Sequence, residues 1–208
     1  MVLGLDTCLA TCSVAVTDGQ RVLASAREAM ARGHQERLAP MVQALMADAG
    51  LPLASIERVG VTIGPGSFTG LRVGVAFAKG MASALAIPAV GIGALEAIAA
   101  EAAGLVFVAI DARRGQVYAQ AFEDGHALMA PDALTLGTAA ARIAEISQGR
   151  PLTLLGSGAP LLADVVPTAQ VVAAEGADAR AVAKLAAARS PGPLKPLYLR
   201  APDAKLPA

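Results

Sequence analysis

The stretch GPGSFTGLRVG, residues 64–74, follows a short apolar segment, Val59–Ile63, and leads into a longer run of apolar and small residues, Leu71–Ala86. The short segment predicts a strand, the long run predicts a largely buried helix, and the glycines and proline between them predict a tight loop. A loop that opens a helix presents backbone N–H groups to an anion. This stretch has neither the Gly-Lys-Ser/Thr of a P-loop nor the glycine spacing of a dinucleotide fingerprint, so both classes of nucleotide site are excluded.

The chain before this loop predicts an antiparallel meander and then a helix. Asp18-Gly19 is a strong hairpin signal, because both residues tolerate positive φ. Apolar residues at helical spacing predict a helix over His34–Ala49, with Gly50 as the left-handed residue after its end and a kink or a late start of regular helix at Pro40. The other predicted elements of this half are four strands and a helix: Val2–Thr7, Cys12–Thr17, Arg21–Glu28, Pro88–Ile92 and Leu95–Ala103.

The second half predicts a repetition of this architecture, because each half begins with a strand that ends in Asp and is followed by a turn. The second such strand is Leu105–Asp111, and Arg113-Arg114-Gly115 forms its turn. The later elements are a strand, a helix, a strand, a helix and an extended tail: Gln116–Glu123, Thr138–Ser147, Leu152–Leu155, Asp178–Arg189 and Leu194–Ala208. Hairpins followed by alternating strands and helices predict an α/β fold with mixed sheets, divided near Gly104 into domains 1–104 and 105–208.

Composition and charge exclude several classes of protein. Hydrophobic residues make up 55% of the 208 residues, which excludes an intrinsically disordered chain. Lys plus Arg and Asp plus Glu both number 17, so the chain has no general attraction for nucleic-acid phosphates. Two cysteines, Cys8 and Cys12, exclude a disulfide scaffold. Since we find neither a signal peptide nor an apolar stretch of about 20 residues, we expect a cytoplasmic protein without a membrane span.

Two Asp residues stand where actin-like ATPases and sugar kinases bind phosphate and Mg²⁺. Asp6 ends the first strand, and Asp111 ends the corresponding strand of the second half. In such ATPases a glycine follows closely and lets the backbone approach a phosphate, but here Cys8-Leu9 and Ala112-Arg113 take its place. Two interpretations remain for Asp6 and Thr7, an ATP loop or a pair of side chains that fix the hairpin. The two arginines after Ala112 could still bind an anion.

Two features of the helix after the glycine loop require an explanation. Arg72 lies in the first turn, where a cation opposes the helix dipole, so we expect an acidic side chain, a partner protein or a ligand anion to hold it. Small residues recur at every fourth position of one face: Gly70, Gly74, Ala78, Ala82 and Ala86. Such a stripe allows close packing, either against a partner's helix or against the helices and sheet of the same domain.

The chain offers no recognisable catalytic set. Its only histidines, His34 and His126, are far apart and fit no metal-binding or Ser-His-Asp spacing. We therefore expect no metal, no cofactor and no catalytic residue, which argues against an autonomous enzyme. An autonomous actin-like ATPase or hydrolase remains the alternative function, and the missing phosphate-loop glycines count against it.

The glycine loop, Lys79-Gly80 after it and several flanking motifs resemble the TsaB family, which is also known as YeaZ. The flanking motifs are Asp6-Thr7, HQERLAP at 34–40, DARR at 111–114 with Tyr118, and PLYLR at 196–200. The resemblance covers nearly the whole chain and implies two actin-like (RNase H-like, ASKHA-type) subdomains with mixed sheets and flanking helices. The chain departs from the family at Cys8 and Gln35, where the family usually has Ser.

The resemblance also implies a role in tRNA modification. TsaB-like proteins act with TsaD and TsaE, which together transfer a threonylcarbamoyl group from its adenylate to N6 of the adenosine 3′ of the anticodon. TsaD is the catalytic, metal-binding paralogue and TsaB supports it, so tRNA contact is expected only through the complex. We expect the surface for TsaD, or for a second copy in a homodimer, on the two helices of the first subdomain: His34, Arg37, Leu38, Met41, Val42, Leu45, Gly70, Arg72, Gly74, Ala78 and Ala82.

Overall fold

The first half of the chain forms a five-stranded mixed sheet with the strand order β3-β2-β1-β4-β5. The computed structural model describes residues 1–19 and 21–200. The antiparallel neighbours β1, β2 and β3 form the predicted meander, and β4 and β5 extend the sheet in parallel with β1. The strands are β1 (Val2–Asp6), β2 (Thr11–Thr17), β3 (Val22–Ala29), β4 (Arg58–Thr62) and β5 (Ala89–Ile92).

The second sheet repeats the strand order and directions of the first. Its order is β11-β10-β6-β7-β8, and β9 also pairs with β7. β6 is antiparallel to β7 and parallel to β10, as β1 is antiparallel to β2 and parallel to β4. The predicted repetition is confirmed, and the ends of β1 and β6 occupy equivalent places. The strands are β6 (Leu105–Arg113), β7 (Gln116–Glu123), β8 (His126–Ala127), β9 (Asp132–Thr135), β10 (Thr153–Leu155) and β11 (Gln170–Val172).

Helices cover both faces of the first sheet. The helices are α1 (His34–Asp48), α2 (Phe68–Leu85), α3 (Ala94–Ala99), α4 (Leu136–Ser147) and α5 (Ala179–Ala188). Because side chains alternate along a strand, Leu3 and Leu5 of β1 point to one face, where they join a core with α1 and α2. Gly4 faces the opposite side, where a Cβ would overlap the carbonyl oxygen of Ala179. The strand glycine therefore lets α5 lie close on that face.

The position of α5 corrects the predicted division of the chain. The boundary near Gly104 separates the strands of the two sheets. The helix α5 lies far beyond it in sequence, yet it packs on the first sheet, where Val182 and Ala186 join a core with Val90 and Ile92. The predicted second domain, 105–208, therefore contains a helix that packs on the first sheet. The sequence shows that α5 is amphipathic but not which sheet its apolar face covers.

The sequence predicted the end of α1 correctly, whereas several short elements were missed. After α1, Gly50 adopts φ +66°, and the N–H groups of Gly50 and Leu51 donate to the carbonyls of Ala47 and Met46, as predicted for a left-handed helix end. Short elements were not predicted: β8, β9, β11 and the 3₁₀ helices Leu53–Ser55 and Ala159–Val165. The predicted tail is described only to Arg200, and residues 201–208 lie outside the described part. None of the described helices is both long and apolar enough to cross a bilayer.

Candidate functional site

The carboxylate of Asp6, where an actin-like ATPase would hold Mg²⁺, is sealed inside the protein. Asp6 is 0% exposed, and its Oδ1 accepts hydrogen bonds from the Thr62 hydroxyl at 2.6 Å and from the backbone N–H of Cys8 at 3.2 Å. Its Oδ2 has no hydrogen-bond partner among the described residues. Burial raises the pKa of this carboxyl, and the bond from Thr62 only partly opposes that rise.

The segment Glu175–Ala177, just before α5, fills the space beside Asp6. The N–H of Ala10 donates to the carbonyl of Glu175 at 3.0 Å, and the hydroxyl of Ser13 donates to the carbonyl of Ala177 at 3.2 Å. Gly176 lies so close that a Cβ would overlap the Thr11 hydroxyl and lie 3.2 Å from Asp6 Oδ2. A phosphate or metal ion therefore has no room beside this carboxylate, and the residues present do not fit the Mg-ATP that the fold would imply.

The glycine loop closes the same region from the other side. The N–H of Ser67 donates to the carbonyl of Cys8 at 2.7 Å, and the hydroxyl of Thr7 donates to the carbonyl of Gly70 at 2.7 Å. A Cβ at Gly70 would overlap the Thr7 carbonyl oxygen. The glycines of residues 64–74 thus allow close packing on the loop after β1, and this packing agrees with the second interpretation of Asp6 and Thr7, a pair of side chains that fix the hairpin.

The equivalent turn of the second sheet, residues 111–115, is open and carries arginines. The guanidinium of Arg113 lies 3.2 Å from the carboxylate of Asp111, which also accepts the Arg113 N–H at 2.8 Å. Arg113 and Arg114 both adopt left-handed backbone, with φ of 64° and 56°, which is unfavourable for residues other than glycine. The turn presents side-chain cations rather than the backbone N–H groups of a phosphate loop.

A cleft of about 800 Å³ lies between the two sheets. Among its lining residues are Leu9, Pro65, Tyr118, Ser157 and Glu175. No group of three or more metal-ligating side chains occurs in residues 1–19 and 21–200. The described walls therefore offer mixed polar and apolar contacts rather than a cluster of metal ligands.

The two thiols are unsuited to nucleophilic catalysis. Cys8 and Cys12 are both buried. Burial, reinforced by the nearby carboxylate of Asp6, raises the pKa of the Cys8 thiol and raises that of Cys12 to about 11. A cysteine nucleophile requires a lowered pKa and access to substrate, and neither thiol has them.

The structure corrects most of the predicted partner surface. Residues that cover the sheet are not available to a partner, and eight of the predicted residues are buried within the chain itself: His34, Leu38, Met41, Val42, Leu45, Gly70, Gly74 and Ala78. The Nε2 atom of His34 lies 3.2 Å from the Thr11 carbonyl oxygen, and a Cβ at Gly74 would lie 2.5 Å from the Thr7 hydroxyl oxygen. The apolar stripes of α1 and α2 are needed to cover their own sheet, and of the predicted set only Arg37 and Arg72 are exposed, with Ala82 half-buried.

The opposite face of α2, with the start of α1, forms a shallow groove that the sequence reasoning missed. This α1–α2 groove has a volume of about 500 Å³ and is lined by Gln35, Phe68, Thr69, Arg72, Val73, Ala76 and Phe77. Phe68 is 45% exposed, which is unusual for a large aromatic side chain in a protein with few of them. The sequence did contain a signal for this groove, because Phe68, Arg72 and Ala76 recur at every fourth position. They lie on the side of α2 away from the small-residue stripe.

Arg72 is held by aromatic rings. Its guanidinium carbon lies 3.6 Å from the centre of the Phe68 ring, and its Nε donates to the Tyr198 hydroxyl at 3.3 Å. Within the described part of the chain it forms no ion pair with an acidic side chain, so an internal salt bridge, one of the three alternatives for Arg72, is absent there. A cation–π contact leaves the charge accessible, which suits a residue at a binding surface.

Comparisons with known proteins show which proteins the chain is similar to. The family model described as TsaD, tRNA N6-adenosine threonylcarbamoyltransferase, matches residues 23–153. An uncharacterized protein of Mycobacterium tuberculosis is 41% identical over 175 residues, 84% of this chain and 79% of that protein. The tRNA threonylcarbamoyladenosine biosynthesis protein TsaB of Escherichia coli is 38% identical over 122 residues, 56% of this chain and 52% of that protein.

Solved structures agree with the predicted fold. YeaZ from Pseudomonas aeruginosa is 27% identical in sequence and superposes with a TM-score of 0.78. The match covers 95% of this chain and 99% of the YeaZ chain. The ROK hexokinase of Thermus thermophilus is 16% identical and superposes with a TM-score of 0.51, and the match covers 89% of this chain and 96% of the hexokinase chain. This similarity shows a shared fold alone. The predicted α/β class with two actin-like subdomains is confirmed.

Proposed function

Because this chain belongs to the TsaB (YeaZ) family, within the group of proteins that the TsaD model describes, we propose that it is the non-catalytic partner of TsaD in tRNA threonylcarbamoyladenosine biosynthesis. In this role it supports the transfer of threonylcarbamoyl from its adenylate to N6 of the adenosine 3′ of the anticodon. TsaE completes the cytoplasmic set, and tRNA contacts the chain only through the complex. The matched relative in Escherichia coli is named for this biosynthesis.

The observation that carries the non-catalytic role is the closure over Asp6. The segment Glu175–Ala177 on one side and the glycine loop on the other occupy the space in which an actin-like enzyme would hold a phosphate and its metal ion. The neutral form of a buried carboxyl is favoured, and a neutral carboxyl is a poor ligand for Mg²⁺. Chemistry in the complex is therefore assigned to TsaD.

The α1–α2 groove is the surface that we assign to TsaD. It exposes Phe68, which is aromatic, and Arg72, and both residue types are enriched in the centres of protein interfaces. The family model described as TsaD matches residues 23–153, which include both helices, so we expect equivalent helices in TsaD and a four-helix bundle formed by the two pairs. Two copies of this chain would use the same patch in a two-fold homodimer, and the homodimer would then compete with the complex.

Calorimetry on one preparation separates the two classes of function. We expect no heat of binding when Mg-ATP is titrated into the isolated chain and saturable binding when TsaD is titrated. Micromolar binding of Mg-ATP without binding of TsaD would establish the alternative, an autonomous actin-like ATPase or hydrolase. Titrations of buffer and of Mg²⁺ alone serve as the blanks.

A further inference from the structure

The last described residues, 194–200, form a C-terminal strap that runs from the core of the first subdomain to the second sheet. At its start, Leu194 is only 8% exposed and packs in the core beneath the first sheet. In its middle, the N–H of Leu197 donates to the carbonyl of Ile63 at 2.7 Å, just before the glycine loop. The strap is therefore fixed to the first subdomain by burial and by a backbone hydrogen bond.

The far end of the strap reaches the second sheet. The Nη1 of Arg200 donates to the carbonyl of Ala112 at 3.0 Å and to Oε1 of Gln116 at 3.5 Å. Both acceptors lie at the turn between β6 and β7. Leu197, Tyr198 and Arg200 also line the cleft between the sheets, so the strap forms part of its wall.

Between these two anchors, Tyr198 leans on the start of α2. Its ring centre lies 5.5 Å from that of Phe68 in a tilted arrangement, and its hydroxyl accepts a hydrogen bond from Nε of Arg72. Tyr198 and Phe68 are 47% and 45% exposed, so neither ring is fixed by a surrounding core. Two groups of the α1–α2 groove thus contact one side chain of the strap.

We infer that Tyr198 is a positioning residue for partner binding, because it holds Phe68 and Arg72 in one arrangement before the partner arrives. An exposed Phe or Arg without such support samples several rotamers, and ordering these at an interface lowers affinity. This inference rests on the proposed function, and its partner is TsaD.

The test is a double-mutant cycle on the affinity of the full chain for TsaD, measured by calorimetry with wild type, Tyr198→Ala, Phe68→Ala and the double variant. We expect Tyr198→Ala to weaken binding about tenfold, in line with the ordering of one or two side chains. Once Phe68 is absent, we expect Tyr198→Ala to cost less affinity than it does in wild type, because only the contact of Tyr198 with Arg72 remains to be lost. Val165→Ala, which truncates an exposed side chain of the other subdomain, serves as the matched control and should bind as wild type does.

Each result decides one question. Wild-type affinity in Tyr198→Ala would overturn the role of the strap and leave the proposed function intact, whereas no binding by wild type would overturn both. Full additivity in the double variant would show that Tyr198 contacts TsaD directly, which contradicts a positioning role. Tyr198→Phe keeps the ring against Phe68 and is expected to bind within threefold of wild type. If Tyr198→Ala fails to fold, Tyr198→Leu, which also removes the ring and its hydroxyl, takes its place with the same expected loss.

Discussion

The hydroxyl of Thr62, at the end of β4, donates a hydrogen bond of 2.6 Å to Oδ1 of Asp6, at the end of β1. The bond joins two neighbouring strands at the edge of the sheet where actin-like enzymes bind their nucleotide. The thiol of Cys8 donates in turn to the Thr62 hydroxyl oxygen at 3.1 Å. A carboxylate, which often serves as a metal ligand, is buried here and connects two strands.

Asp6→Asn should become more stable relative to wild type as pH rises. Burial raises the pKa of Asp6 in the folded state, so its contribution to stability is fully present below the ordinary pKa near 4 and is lost as pH rises through the raised value. Asn is uncharged throughout, and its oxygen still accepts from Thr62. Urea unfolding at acid and at neutral pH measures the difference. A difference that is constant with pH would show that Asp6 titrates alike in both states.

Gly176→Ala should cost about 2–3 kcal/mol of unfolding free energy, because the new methyl group overlaps the Thr11 hydroxyl and the segment before α5 must move. Thr11→Ala in the same chain removes that hydroxyl, which has no partner among the described residues, and should restore part of the loss. Gly80→Ala is the control, since nothing lies near its Cβ position and alanine favours the helix. Equal stability of Gly176→Ala and wild type would mean that the segment does not close over Asp6.

The sequence predicted the fold where strong local signals and one periodicity agreed. The structure has α1 and the hairpin of β6 and β7 close to their predicted positions, and Gly50 after α1 has the predicted left-handed backbone. Two- and three-residue strands such as β8 and β11 carry too few side chains for a pattern to show. The site was harder, because a stripe of small residues permits close approach without saying whether a partner or the chain's own sheet approaches. The support of Arg72 by Tyr198 joins residues 126 positions apart, which no spacing rule reveals.

Ala78→Glu and Ala76→Glu form a matched pair on one helix. Ala78 is 0% exposed in the core on the first sheet, so a charge there should cost at least about 3 kcal/mol and unfold much of the protein. Ala76 is exposed in the α1–α2 groove, so the same substitution should change stability by less than about 0.5 kcal/mol. Circular dichroism melts compare them. A folded Ala78→Glu variant would make the small-residue stripe a candidate partner surface again.

Arg72→Ala should leave the fold nearly unchanged and weaken the complex with TsaD. The exposed cation–π contact with Phe68 contributes about 0.5–1 kcal/mol, which corresponds to a small change in melting temperature. We expect at least a tenfold loss of affinity for TsaD in calorimetry, and an intermediate loss for Arg72→Lys, which keeps the charge but not the planar guanidinium. A large loss of stability with unchanged affinity would make Arg72 a structural residue.

A reconstituted tRNA modification assay tests the non-catalytic partner role most directly. TsaD, TsaE, the threonylcarbamoyl adenylate and a substrate tRNA are combined without this chain, with wild type, or with the folded Ala76→Glu variant, and threonylcarbamoyladenosine is quantified by mass spectrometry. We predict product only in the mixture with wild type. In a further mixture, in which this chain is added and TsaD is omitted, we predict no product. Equal product without this chain, or product from this chain in the absence of TsaD, would contradict the account.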